Sequence, residues 1–357
     1  MIHAIGKTDC VASPNTRSRI IALLCVVILA VCTSQTAVAE TVSQATGPAS
    51  HNEILHLSTR ALGTECKDES MEHQLQCDRC LVSNGGKTSW TSEDWHDAFT
   101  CSDSPRHTII YVHGNRVAQG EDRSRGMKVY HSLRAQGQPE VPIRYIIWSW
   151  PSSTIPGPVK DYQVKASRTR PAGWQLAWFL NQLPKETNVS VIGYSYGARI
   201  ASGAMHLLAG GQLGNLKLNT RPAEQQPSFR LALVAAAFDA DWIQPGHYHG
   251  RAVSQVERLV LVTNHLDPAM RFFHLSNGRG RVDALGKAGM PNPKSLGILT
   301  KRIQPINMSH AVGRSHFLTD YLAATSKMRL VWRNLLPERT SPGEQSLANA
   351  TIDNRVE

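Results

Sequence analysis

A serine, an aspartate and a histidine, in that order along the chain, carry the chemistry this sequence offers. The serine is Ser195, set in Gly193-Tyr194-Ser195-Tyr196-Gly197. A serine hydroxyl attacks a carbonyl only when a base takes its proton and an acid orients that base. Gly193 and Gly197 supply the small neighbours that a sharp strand-to-helix turn demands. The five-residue pattern alone recurs by chance, so its context decides its weight. Val189, Val191 and Ile192 precede it as a buried strand would. Ala198, Ile200, Ala201 and Ala204 follow it, small enough to let a helix lie close to a sheet. The competing interpretation is a tight turn whose serine only caps the helix.

The acid and base candidates lie downstream. Asp267 stands in Leu266-Asp267-Pro268, just beyond a run of Leu and Val, and Asp-Pro is also a common turn pair. Asp239 and Asp241, in Phe238-Asp239-Ala240-Asp241, compete for the acid role. His316 immediately precedes Phe317, Leu318, Tyr321 and Leu322, the apolar face of a final helix. His310 is the alternative base, and either histidine also suits a surface loop. An oxyanion needs donors aimed at it. The backbone N–H groups of Tyr196 and of Asn115, in His113-Gly114-Asn115-Arg116, are the candidates, with His113 bracing that loop. Trp148, Trp150 and Tyr194 are candidates for a substrate pocket, and tryptophans at such positions equally suit a core. No cofactor or metal is expected. His247-Tyr248-His249 lacks a partner ligand and is assigned to a loop.

These residues need a scaffold. Apolar runs at 108–114, 144–150, 188–195, 229–238 and 258–264 suggest strands buried on both faces. Helical patterns at 125–135, 171–183, 196–209 and 317–336 separate or follow them. This alternation predicts a doubly wound, mostly parallel sheet with helices on both faces. The turn holding Ser195 would then lie at the carboxyl edge of the sheet, where open sheets of this class bind ligands.

Over about residues 105–337 the chain resembles the α/β-hydrolase superfamily, and within it a bacterial group related to serine esterases and lipases. The resemblance rests on the serine turn, the His-Gly loop, Ala-Phe-Asp239-Ala-Asp241-Trp, Val-Thr-Asn-His-Leu-Asp267-Pro-Ala-Met and His316-Phe317. It implies an α/β-hydrolase fold and favours Ser195, Asp267 and His316 as a catalytic set. It implies no substrate. Asn115-Arg116 after His-Gly departs from many relatives, which leaves the shape of the oxyanion loop open.

The termini and cysteines bear on location. Arg17 and Arg19 precede an apolar run at 20–31, shorter than the ~20 residues of a membrane span. With Ala37-Val38-Ala39 this predicts a signal peptide over 1–39, cleaved before Glu40, and an exported protein. An uncleaved anchor and lipidation at Cys32 are the alternatives. Residues 40–105 are expected to form a cysteine-bearing segment, 106–337 the hydrolase domain, and 338–357 a disordered tail. Cys66, Cys77, Cys80 and Cys101 predict two disulfides in an oxidising compartment. Zinc at Cys77-x-x-Cys80 is the rival.

Formal charge is +10, and loss of 1–39 leaves about +8. The basic residues, including Lys165, Arg168 and Arg170, are expected on a solvated surface without a nucleic-acid motif, compatible with peripheral association at a membrane or cell envelope. The expected activity is cleavage of a small-molecule or lipid ester. Amide, peptide or thioester cleavage by the same residues is the nearest rival. A non-catalytic envelope-binding protein, or an adhesion protein acting through 40–105, belongs to another class.

Overall fold

Among the residues that the computed structural model describes (52–82, 88–100, 107–139, 142–271, 273 and 282–337), nine strands form one sheet. They are β1 (Glu53–Ser58), β2 (Gln76–Val82), β3 (Thr88–Glu93), β4 (His107–Val112), β5 (Ile143–Ser149), β6 (Asn188–Tyr194), β7 (Ser228–Val234), β8 (Arg258–Thr263) and β9 (Ile303–Asn307). The order across the sheet is β3-β2-β1-β5-β4-β6-β7-β8-β9. β2 runs antiparallel to both β1 and β3, and every other neighbouring pair is parallel. The helices are α1 (Asp68–Gln74), α2 (Trp95–Thr100), α3 (Glu121–Ser132), α4 (Pro158–Gln182), α5 (Tyr196–Leu208), α6 (Pro268–Arg271), α7 (Leu285–Ala288), α8 (Ser309–Val312), α9 (Leu318–Ala323) and α10 (Thr325–Leu335).

Strand alternation divides the apolar residues between two cores. Ile110, Val112, Ile146, Trp148, Val189, Val191 and Leu231 face a core shared with α4 and α5. Ile109, Tyr111, Tyr145, Ile147, Ile192 and Val234 face a second core, shared with α3 and α10. Both faces are covered, so the central strands show no polar alternation. The chain leaves β4 toward β5 on one side and returns to β6 on the other. The strand order therefore reverses at β4/β6, and a crevice opens at the carboxyl ends there. This is a doubly wound, mostly parallel α/β sheet with helices on both faces.

The structure departs from the sequence expectations in several places. Part of the segment placed apart at 40–105 supplies β1, β2 and β3 to the same sheet, with β1 pairing directly with β5. Helix α4 starts at Pro158, not 171, because Pro171 lies inside it. The final helix divides into α9 and α10 at Ala324. Lys165 is fully buried rather than solvated. The expected disulfides are absent from the described residues: Cys66, Cys77 and Cys80 are free thiols, and Cys101 lies outside the description. Cys77 and Cys80 lie on one strand three residues apart, so they point to opposite faces and enter different cores. Burial pushes the Cys66 and Cys77 thiols up to about 12. The expected signal peptide and C-terminal tail also lie outside the described residues.

Asp122, at the start of α3, binds the amino-terminal strands to the sheet core. Arg60 Nε donates to its Oδ2 at 3.1 Å, Ser149 Oγ donates to the same oxygen, and His56 Nε2 lies 3.3 Å away. Its Oδ1 accepts the N–H groups of Gly120 and Arg123 at 3.0 and 2.9 Å. Burial would raise its pKa, but the contacts of His56 and Ser149 and the charge of Arg60 outweigh it. The carboxyl is held well below the usual range. A carboxylate depressed in the folded state stabilises above its unfolded pKa, and that contribution fades as pH falls toward the folded value. Asp122→Asn is expected to lower stability at neutral pH. The gap from wild type should shrink below about pH 4, as read by denaturant unfolding across pH.

Candidate active site

Ser195 is the single residue between β6 and α5, with φ 55° and ψ −116°. Few residues other than glycine adopt such a conformation, which costs on the order of 1–3 kcal/mol. Its surroundings hold it there. Ser195 N–H donates to Val234 O at 2.9 Å, and Ser195 O accepts from Ala198 and Ala237 N–H at 3.1 and 3.3 Å. Both flanking glycines are required by close approach. A Cβ on Gly193 would lie 2.6 Å from Ala198 Cα, and one on Gly197 only 2.0 Å from Val112 O.

The structure brings Ser195, His316 and Asp267 together. His316 Nε2 lies 3.1 Å from Ser195 Oγ, and its Nδ1 lies 2.6 Å from Asp267 Oδ2. The Asp267 side chain is fully buried. Its two oxygens divide their work. Oδ2 faces the imidazole, while Oδ1 accepts Ala269 N–H at 2.9 Å in the first turn of α6. Pro268, at the first position of that helix, has no N–H to satisfy. The hydrogen-bond network assigns the proton to Nδ1, which leaves Nε2 to accept from the serine. Tyr321 Oη lies 3.4 Å from Asp267 Oδ2. Burial, followed by the charge of Asp267, raises the phenol's pKa, so it remains a protonated donor.

Asn264 and Asp161, which the sequence did not single out, position this set together with residues that it did. Asn264 Nδ2 donates to Gly313 O at 2.9 Å and to Ser315 O at 3.2 Å, while its Oδ1 accepts Leu266 N–H at 3.0 Å. One buried amide thereby joins the acid's loop to the base's loop. Tyr194 Oη donates to the carbonyl of His316. On the opposite side, Asp161 of α4 accepts from Asn115 Nδ2 at 3.1 Å, Arg116 Nε at 2.9 Å and Lys165 Nζ at 3.0 Å. Burial raises the Asp161 pKa, but hydrogen bonds from Arg116 and Lys165 outweigh it and lower the value. The only sequence signal for Asn264 and Asp161 was a polar side chain beside a motif or inside a helix.

The expected oxyanion donors, Asn115 and Tyr196, border the cavity beside Ser195. His113 braces their loop. Its Nδ1 lies 2.9 Å from Gly114 O, Trp150 N–H donates to its Nε2 at 3.3 Å, and the Trp150 indole donates to His113 O at 2.8 Å. Burial brings the His113 pKa down to about 3, so the ring is neutral. Trp148 and Trp150 are core residues, whereas Tyr194 lines the cavity. The alternative acids and base are engaged elsewhere. Asp239 accepts the Trp242 indole N–H at 2.8 Å, Asp241 lies 3.1 Å from His247, and His310 is exposed on α8. Among the described residues no group of three or more His, Cys, Asp or Glu side chains could hold a metal ion.

A cavity of about 810 Å³ opens over Ser195 and His316. Ala269, Met270, Phe273, Leu318 and Leu322 give it an apolar wall, and Arg116, Arg125 and Lys128 lie on its rim. The arrangement can move a proton from a hydroxyl to an imidazole beside an apolar cleft.

No family model matches the chain, and no curated protein sequence matches it. Among solved structures, an IroE-like serine hydrolase from Shewanella oneidensis is 13% identical, with 80% of this chain and 84% of that chain covered at a TM-score of 0.39. Esterase B from Lactobacillus rhamnosis is 11% identical, with 84% and 90% covered and a TM-score of 0.39. The LpqC poly(3-hydroxybutyrate) depolymerase from Bordetella parapertussis is 11% identical, with 80% and 98% covered and a TM-score of 0.35. These likenesses are remote; the side-chain geometry alone defines the site.

Two substitutions test that geometry. Gly197→Ala should displace α5 from β4, with a lower thermal midpoint and loss of labelling of Ser195 by a fluorophosphonate. Asn264→Ala should loosen the base's loop and cut the labelling rate by about tenfold to a hundredfold. Its far-ultraviolet circular dichroism should remain that of the wild type.

Proposed function

We propose that the protein is an exported serine hydrolase that cleaves carboxylic esters through an acyl-enzyme. The observation that carries this is the hydrogen-bonded chain from Ser195 through His316 to buried Asp267. The apolar wall beside it supports an ester with a hydrocarbon portion. Ser195 Oγ bonds to the carbonyl carbon as its proton passes to His316 Nε2. The N–H groups of Asn115 and Tyr196 receive the developing oxyanion. The carbon–oxygen bond to the alcohol then breaks, and the alcohol leaves with the proton from His316. Water, deprotonated by the same imidazole, attacks the acyl-enzyme and releases the acid and Ser195. Asp267 holds the imidazole in the required tautomer and stabilises the imidazolium that forms. Export rests on the predicted signal peptide.

A fluorophosphonate probe and a series of para-nitrophenyl esters test the assignment. Wild type should label and Ser195→Ala should not. Asp267→Asn should lower kcat by about three to four orders of magnitude, whereas Asp239→Asn should retain most activity. Equal labelling of wild type and Ser195→Ala would refute the nucleophile. A larger loss from Asp239→Asn than from Asp267→Asn would refute the acid.

A further inference from the structure

The cleft over Ser195 is electrically one-sided. Arg116, Arg125 and Lys128 border it, and no Asp or Glu does among the described residues. Asp267 is buried behind the imidazole. The three cations are not equally available. Arg116 is paired with fully buried Asp161 at 2.9 Å, so its charge is largely answered. Arg125 donates to Arg116 O at 3.4 Å and pairs with solvent-exposed Glu121, one helical turn away at 3.2 Å. A surface pair of that kind contributes little and exchanges readily. Lys128 forms no ion pair among the described residues.

Arg125 and Lys128 are three residues apart on α3, so they share one face of that helix. Sheet order places this face relative to the nucleophile. Helix α3 follows β4, which lies on one side of β6; α6 follows β8, on the other side. Ser195, at the end of β6, therefore sits between a cationic side and the apolar side formed by Ala269, Met270 and Phe273. A low-dielectric cleft lined by one sign of charge focuses its field on whatever enters. A wholly neutral lipid would find a use for the apolar side alone.

The geometry points to a substrate of two parts: an apolar portion that lies against Met270 and Phe273, and an anionic group, carboxylate or similar, that Arg125 and Lys128 receive across Ser195. This inference rests on the ester-hydrolase function proposed above and narrows its substrate class.

Two matched pairs of soluble esters test it, one for each side of the scissile bond. Mono-para-nitrophenyl suberate is compared with para-nitrophenyl octanoate, and para-acetoxybenzoate with para-acetoxybenzamide. In at least one pair the anionic ester should have the higher kcat/KM, by about tenfold. That ratio should fall toward one in Arg125→Gln/Lys128→Gln and, less completely, in Lys128→Gln alone. In wild type it should also fall when salt is raised to about 0.5 M. Each ratio is measured within one protein preparation, so partial loss of folded enzyme does not imitate the effect. Ratios near one in both pairs, or a ratio that survives the double substitution, would overturn the anionic-substrate inference. In that event Ser195-dependent cleavage of the neutral esters would leave the ester-hydrolase function standing. Failure of every ester together with failure of fluorophosphonate labelling would overturn both.

Discussion

The closest structural constraint is the approach of the first turn of α5 to the end of β4. At Gly197 a single added carbon would stand 2.0 Å from the Val112 carbonyl oxygen. That proximity leaves no room for a longer connection, so the chain must reverse within one residue. Ser195 takes that role at positive φ, with its own N–H and C=O engaged by the neighbouring strand end and helix. The strain is sustained because two parallel strands and a small-residue helix leave the turn no alternative. A hydroxyl that faces the cavity at the carboxyl edge of the sheet is the result, and every other part of the site is arranged around it.

Around that turn, the site is held by buried polar groups rather than by loop packing. Asn264 links the loop carrying the acid to the loop carrying the base. Asp161 receives Asn115, Arg116 and Lys165 and so shapes the loop after β4 from behind. Neutral His113 locks the same loop to Trp150. Each of these groups would be costly to bury unpaired, so each makes one loop conformation strongly preferred. Preorganisation of this kind places a base and its acid within hydrogen-bonding distance before any substrate arrives.

The parts legible in the sequence are those governed by local pattern. The five central strands appear as uninterrupted runs of branched residues, and the serine turn is marked by its glycines. β1, β2 and β3 escape because their stabilisation is non-local. β3 is a Ser/Thr-rich edge strand with mostly exposed side chains, and β1 gains its burial by lying between β2 and β5. β9 contains Pro305, which usually argues against a strand and is tolerated at a sheet edge. Pro171 misplaced the start of α4 because the tertiary packing of a long helix overrides a proline's local preference. The cysteines suggested disulfides by number, whereas strand alternation places Cys77 and Cys80 on opposite faces. Lys165 counted as surface charge because its buried partner lies one helical turn earlier, at Asp161, whose burial no local pattern marks.

Sheet order also explains why the acid stands after β8 and not after β7, where Asp239 and Asp241 offered carboxylates nearer in sequence to Ser195. Neighbouring strands lie about 4.8 Å apart, so the ends of β6 and β8 are separated by roughly 10 Å. An imidazole with a hydrogen bond at each nitrogen, held between the serine and aspartate side chains, spans a distance of that order. The end of β7 is moreover already committed to the serine turn, through Val234 O and Ala237 N–H. Asp239 then turns aside to the Trp242 indole. The base bridges the ends of these two strands. It arrives on the loop ahead of α9, after the chain has passed through β9 at the sheet edge and returned over the crevice. The order serine, acid, histidine is thus consistent with strand spacing and with the length of one imidazole.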